Sequence, residues 1–234
     1  MSRELTFDER RRAIDSRLEM VLESARGAHL EPARTSIVDR DDRWYGQLVA
    51  LVYNSIAETP DETSTLHAAA AMELLHGYCR LRMQLLGRLR ETAENPVAWK
   101  SDTALLASDY LYTAAYSTLG AVETADVETC FATLASVSET ILETFGSDDV
   151  QPSPTAYCSF VDGTAGALGR GAAVIGATLA TVENRRRHHV ATLGREFSAA
   201  RRIQHTLAAD TTSPVPWLRS VTNNGFASVH SGVS

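Results

Sequence analysis

The sequence predicts an all-α protein of one helical domain. Helix-start and helix-stop residues recur along the whole chain, and the apolar residues between them fall at spacings of three and four. The alternating pattern of a half-buried strand is nearly absent.

The elements follow in order. Thr6-Phe7-Asp8-Glu9 is a capping box and opens a helix to about Arg26, where Gly27 stops it. Ala28 to Asp42, with Pro32 and mixed charges, is expected to be a loop. Trp44 to Ile56 is a second, mostly apolar helix. Beyond the turn at Pro60-Asp61-Glu62, a long helix runs from about Thr65 to Glu91, with Leu66, Ala70, Leu74, Leu81 and Leu85 at helical spacings. Asn95-Pro96 ends it. Thr103 to Leu119 is the next helix, closed by Gly120. Glu123 to Phe145 follows, with Gly146 as its stop and Ser147-Asp148-Asp149 as a loop. Ser153-Pro154 is an N-cap with proline at the first helical position, and its helix extends to about Thr181. Gly163, Gly166, Gly169, Gly171 and Gly176 lie inside it, each costing ~1 kcal/mol against alanine. Close helix-to-helix approach or a locally irregular helix is the expected reason. Glu183 to Ala208 is the last long helix. Residues 1–210 thus form one helical domain, and 211–234, rich in Ser, Thr, Asn, Gly and Pro, are expected to be a flexible tail.

Composition narrows the function. A net charge of −7 argues against a nucleic-acid-binding role, which needs a basic face. Arg170 and five glycines interrupt the small-residue run from Gly163 to Ala180, so no membrane span is expected. The charged start of the chain has no apolar signal core behind it, and a cytoplasmic protein is expected. Lys100 is the only lysine among 22 basic residues, a composition suited to a GC-rich, salt-tolerant organism. Cys79, Cys130 and Cys158 are far apart and without metal spacing, and are expected to be free, buried thiols.

Residue patterns with chemical capacity are few. His76 and Cys79 share a helix face at ligand spacing, with no third ligand nearby in sequence. His188-His189 follows Arg185-Arg186-Arg187 and reads as a solvated basic face, or else as an anion site. Arg201-Arg202 with His205 is of a type that holds phosphate, although an ordinary surface has the same composition. Asp148-Asp149 reads as loop chemistry. No nucleophile-elbow, Walker or dinucleotide-binding motif is present.

One ordered set of segments carries a resemblance. Ala68-Ala69-Ala70-Ala71-Met72-Glu73-Leu74-Leu75-His76-Gly77-Tyr78 resembles the helix that leads into the first aspartate-rich motif of the trans-isoprenyl diphosphate synthases. Pro96 stands where that family has a proline after paired arginines. Ala104-Leu105-Leu106-Ala107-Ser108-Asp109-Tyr110-Leu111 is similar to its A-I-L-A-G-D-x-L helix. Tyr157 to Leu168 is similar to the helix with a Lys-Thr pair, and Leu193 to Leu207 to the helix entering the second aspartate motif. The resemblance implies an antiparallel helical bundle of the isoprenoid-synthase type around a central cavity, shortened at its C-terminus. In that family two D-D-x-x-D motifs face each other and hold magnesium ions, which neutralise an allylic diphosphate as it leaves.

Position by position, this chain departs from that machinery. The first motif's aspartates fall on Met83, Gln84 and Gly87, and the paired arginines on Thr92 and Ala93. The lysine falls on Gly163, leaving Thr164. The Phe-Gln pair falls on Arg201 and Arg202. The second motif falls on His205, Thr206 and Ala209, with Asp210 displaced by one. Near Asp42 to Gln47, where a basic segment belongs, only Arg43 is basic. The positions that would touch substrate are Met83, Gln84, Gly87, Asp109, Thr164, Arg201, Arg202 and His205, with no catalytic or metal-binding residue expected. By analogy with heteromeric synthases, the resemblance implies a non-catalytic or regulatory subunit. It would be a homodimer or a heteromer with a catalytic isoprenyl diphosphate synthase. The alternatives are an atypical prenyltransferase, which alone would need magnesium and would rely on residues such as Glu73 and Asp109, and a helical protein binding a hydrophobic ligand. Tyr110, Tyr112 and Tyr116 suit a subunit interface or, equally, burial within the chain.

Overall fold

The structure, a computed structural model, describes residues 5–23, 27, 30–38, 42–58, 61–90, 101–124, 126–147 and 153–208. These residues form helices joined by short connections and contain no strand. The helices are α1 (Phe7–Glu23), α2 (Glu31–Val38), α3 (Trp44–Asn54), α4 (Glu62–Arg90), α5 (Ser101–Leu119), α6 (Val127–Gly146), α7 (Pro154–Val161), α8 (Ala167–Leu179) and α9 (Asn184–Ala208). Among the described residues no helix is long and apolar enough to cross a membrane.

α4 is the axis of the bundle. Every residue from Ala68 to Cys79 is buried, so this stretch is enclosed on all sides rather than along one stripe. Four consecutive alanines, Ala68 to Ala71, let neighbouring helices approach it closely, and α1, α2, α3, α5, α6 and α8 all pack against it. α1 contributes Ile14, Leu18 and Leu22, one residue per turn. Its capping box forms as the sequence predicts: the Thr6 amide donates to Glu9 Oε2 at 2.9 Å, and the Glu9 amide to Thr6 Oγ1 at 3.3 Å.

The loop expected over residues 28–42 is corrected by α2. Pro32 lies in the first turn of that helix, where a missing N–H costs nothing. Ala33, Ser36 and Ile37 then turn inward against α4 and α5. Helix bounds elsewhere differ by a few residues. α4 begins at Glu62, three residues early, because Asp61 Oδ1 accepts the Thr63 amide at 3.0 Å. α6 begins at Val127 rather than Glu123.

α3 starts from Arg43, held in the left-handed region at φ 45° and ψ 44°. Its Nε donates to Asp15 Oδ1 at 2.5 Å and its Nη1 to the Ile37 carbonyl at 2.6 Å, so three segments fix that conformation. Arg43 gives α3 no side-chain cap. The buried Glu73 of α4 does so instead, accepting the Gly46 amide at 2.9 Å.

The helix expected from Ser153 to about Thr181 is continuous but irregular. Ser153 Oγ accepts the Ala156 amide at 3.0 Å and Pro154 follows, as predicted. A π turn at Asp162–Gly166 then separates α7 from α8. Beyond it the glycines permit backbone contact. A Cβ at Gly169 would stand 2.2 Å from the Gly194 carbonyl oxygen, and one at Gly194 would stand 2.5 Å from the Gly169 carbonyl oxygen. α8 and α9 therefore cross with their main chains touching, and both of the expected explanations for the glycine-rich stretch apply.

Asn95-Pro96, Asp148-Asp149, Ala209, Asp210 and the predicted tail lie outside the described residues. Cys79 and Cys130 are buried, but Cys158 is exposed, which corrects the expectation of three buried thiols. Its neighbour Tyr157 and Val161 turn inward from the short α7, leaving Cys158 on the outer face.

Candidate functional site

Five helices and the π turn face one cavity of about 460 Å³. α4 presents His76, Cys79, Arg80, Met83 and Gln84, and α9 presents Ser198, Arg201, Arg202 and His205. Phe160, Thr164, Ala165 and Leu168 close the side formed by α7, the π turn and α8, with Asp42, Trp44 and Tyr45 before and within α3. Each helical set follows the spacing i, i+3 or i+4, i+7 or i+8, a single stripe along one helix face.

Of the substrate-contact positions predicted from sequence, Met83, Gln84, Thr164, Arg201, Arg202 and His205 line this cavity together. Met83 and Gln84 thus share a cavity with His205, the two segments to which the resemblance assigns the aspartate motifs. Gly87 is buried and outside the lining. Asp109 is also outside it, on the exposed face of α5, where its Oδ1 takes Arg82 Nη2 at 2.5 Å. Gly163 has no room for the lysine of the family pattern, since a Cβ there would lie 2.1 Å from Thr144 Oγ1.

Sequence reasoning missed Asp42, Trp44, Arg80, Phe160 and Ser198 as lining residues. The α4 and α9 stripes were readable from their spacing, whereas Asp42 and Trp44 reach the cavity through the fold of the chain before α3. Arg201 ion-pairs with Asp42 and lies over the Trp44 ring at 4.8 Å from its centroid, a cation–π contact. Trp44 Nε1 in turn donates to Ser198 Oγ at 2.9 Å, which ties α3 to α9.

Two titratable groups of the lining, His76 and Cys79, stand together on α4. His76 Nδ1 lies 3.7 Å from Glu73 Oε2, and its ring meets Tyr45 edge-on at 4.7 Å. Burial pushes the Cys79 thiol up to about 12, with Arg202 pulling weakly the other way. A thiol so firmly protonated is a poor nucleophile and a poor metal ligand. Among the described residues no three His, Cys, Asp or Glu side chains come together in a metal-binding group. Among the described residues Asp42 is the only carboxylate in the lining, and Arg201 engages it. That donor set does not fit magnesium, which needs several oxygen ligands in an octahedral arrangement.

The basic cluster at the start of α9 is separate. Arg185, Arg186, His188 and His189 are exposed and outside the cavity lining. His189 Nδ1 lies 2.8 Å from the Arg185 carbonyl, and Arg187 Nη2 donates to the Val182 carbonyl at 3.0 Å. The predicted interface tyrosines are half-buried and hydrogen-bond within the chain. Tyr110 donates to the Val21 carbonyl at 2.8 Å, Tyr112 to the Tyr116 hydroxyl at 3.3 Å, and the Tyr116 and Ser138 hydroxyls are also 3.3 Å apart. Leu105 and Leu106, 41% and 55% exposed, are the apolar residues that α5 leaves open.

This bundle matches a geranyltranstransferase structure from Methanosarcina mazei over 97% of the present chain and 80% of the other, with a TM-score of 0.75 and 15% identity. The chain has the fold of the isoprenyl diphosphate synthases. The same isoprenyl-synthase fold is found in a geranylgeranyl pyrophosphate synthetase from Pyrococcus horikoshii, with a TM-score of 0.71 and 19% identity over 81% of this chain. There the present chain spans 61% of the other's length. A geranyl diphosphate synthase small subunit from Antirrhinum majus matches over 97% of this chain and 94% of its own, with a TM-score of 0.66 and 14% identity. No protein-family model and no curated protein matches the sequence. The likeness is therefore one of backbone, at identities that establish the fold alone.

Proposed function

We propose that this chain is a non-catalytic subunit of isoprenoid biosynthesis that partners an intact isoprenyl diphosphate synthase. One observation carries the reading: a cavity in an isoprenyl-synthase fold whose only lining carboxylate among the described residues, Asp42, is already engaged by Arg201. Where the resemblance puts metal-binding aspartates, the lining holds Met83, Gln84 and His205. Arg201 and Arg202 beside them would repel a divalent cation. The likeness to a solved small subunit supports the same reading.

The test has two parts. Pure protein with magnesium, isopentenyl diphosphate and an allylic diphosphate should give no condensation product. Co-expression with the intact synthase of the same genome should give a complex whose mass in solution exceeds that of either chain alone. Metal-dependent turnover by the pure chain, or a chain that stays monomeric beside that synthase, would overturn the proposal.

A further inference from the structure

α9 turns its small residues inward and its large apolar residues outward. Ala191, Gly194 and Ser198 are buried against the bundle, whereas Leu193, Phe197 and Leu207 are 52%, 63% and 54% exposed. The outward residues are regularly placed. Val190, Leu193, Phe197, Ala200, Gln204 and Leu207 follow one another at intervals of 3, 4, 3, 4 and 3 residues. That alternation is the seam of a coiled coil, which buries its apolar residues only when a second helix lies against it. The seam runs ~26 Å along α9 at about 1.5 Å per residue, and Gln204 is the only polar residue on it.

The start of α9 supplies a second observation. Its first turn carries no acidic residue, and Arg185, Arg186, His188 and His189 stand exposed near the positive end of the helix dipole. The helix's own field opposes that placement. The C-terminal end of a neighbouring helix, with its last carbonyls unpaired, favours it.

We propose that α9 is a homodimer contact, in which two copies of this chain pair their α9 helices antiparallel about a two-fold axis at Ala200. The seam is self-complementary about that point. Leu193 faces Leu207 of the second copy, seven residues to either side of Ala200, and Glu196 faces Gln204, four to either side. The small Ala200 lets the helices close at the axis, with Phe197 of each copy flanking it. Each basic first turn comes beside the other helix's C-terminal end, whereas a parallel pairing would set the two basic turns side by side in mutual repulsion. A strip ~26 Å long and ~10 Å wide falls short of the ~800 Å² per partner of a standard interface, so the dimer is concentration-dependent.

Sedimentation equilibrium of the full chain alone, from about 1 to about 200 µM, should show the mass rising from one chain toward two. Phe197→Glu and Leu193→Glu should each weaken this self-association at least about tenfold, with melting temperatures unchanged because both positions are exposed. Leu105→Glu with Leu106→Glu, on α5, should leave it intact. With Cys158→Ser removing the exposed thiol, Ala200→Cys should give a disulfide-linked dimer on oxidation. Leu207→Cys alone should not, because antiparallel helices carry the two copies of that position to opposite ends of the contact. A mass that stays at one chain across the range, or a dimer that survives both glutamate substitutions, would overturn the inference. So would loss of synthase binding rather than of self-association in Phe197→Glu, which would give the seam to the synthase. Cross-linking through Leu207→Cys alone would overturn the antiparallel arrangement.

Discussion

Replacing Gly169 with alanine adds one methyl group where α8 and α9 cross. Its Cβ would stand 2.1 Å from Ser198 Oγ and 2.2 Å from the Gly194 carbonyl oxygen. The serine can rotate away, but only by giving up the 2.9 Å hydrogen bond from Trp44 Nε1. The carbonyl belongs to a packed helix and moves only if α9 moves. Alanine gains ~1 kcal/mol of helix propensity over glycine. Against that, overpacking costs about 1–3 kcal/mol and the hydrogen bond about 1 kcal/mol. The net cost is about 1–3 kcal/mol, or a melting temperature lower by ~2–12 °C in a domain of this size. Gly146→Ala is the control, because a Cβ there meets nothing within 4 Å. It should leave the melting temperature unchanged or raise it slightly. Ser198, Arg201 and Arg202 ride on α9, so Gly169→Ala should also weaken any ligand that the cavity binds. If Gly169→Ala stabilises the protein as a simple propensity change would, the crossing is not closed by backbone contact and this account of it is wrong.

Three further outcomes follow from the structure. An aromatic disulfide reagent at pH 8 should titrate one thiol per native chain, the exposed Cys158, and all three after unfolding. Stability should fall as pH rises above 9: burial raises Cys79 to about 12, Cys130 to about 11 and Tyr116 to about 12, while the unfolded groups ionise near 9, 9 and 10, so the unfolded chain releases protons first and is favoured. Denaturation midpoints measured across that range should decline less steeply in a Cys79→Ala, Cys130→Ala variant. Leu105→Glu with Leu106→Glu should abolish association with the proposed partner synthase while leaving the melting temperature nearly unchanged, since both leucines are exposed.

The helices were legible because each depends on local chemistry. The capping box at Thr6, the Ser153-Pro154 start and the apolar spacing of α4 all act within a turn or two of the residues that signal them. The loop expectation failed at α2 because proline was read as a breaker, although the first helical turn tolerates it. The site was legible only along helix faces. Arg201, Arg202 and His205 could be grouped by spacing, whereas the pairing of Arg201 with Asp42 joins residues 159 apart in sequence. The aromatic-rich face of α5 was ambiguous because burial and interface select the same residues, and the hydrogen bonds of Tyr110, Tyr112 and Tyr116 show them used within the chain.

The distribution of burial separates the residues that set helix positions from those that line the cavity. The residues that set helix positions lie in the enclosed run Ala68 to Cys79 and at the Gly169–Gly194 crossing, where a change of volume is costly. Arg201, Arg202, Met83 and Gln84 lie one or two turns beyond, half-buried, and His205 is exposed. Water reaches those positions, so exchanging a carboxylate for an arginine or an amide there incurs little of the desolvation cost of a buried charge. Fold and site charge are thus separable in this bundle. Glu73 marks the boundary between them: it lies inside the enclosed run, accepts the Gly46 amide and faces His76. Glu73→Gln, which keeps an acceptor for that amide, should be tolerated far better than Glu73→Ala, which leaves it unpaired at a cost of about 1–3 kcal/mol. Equal losses in chemical denaturation would mean that the carboxylate charge, rather than the cap on α3, is what the enclosed run requires.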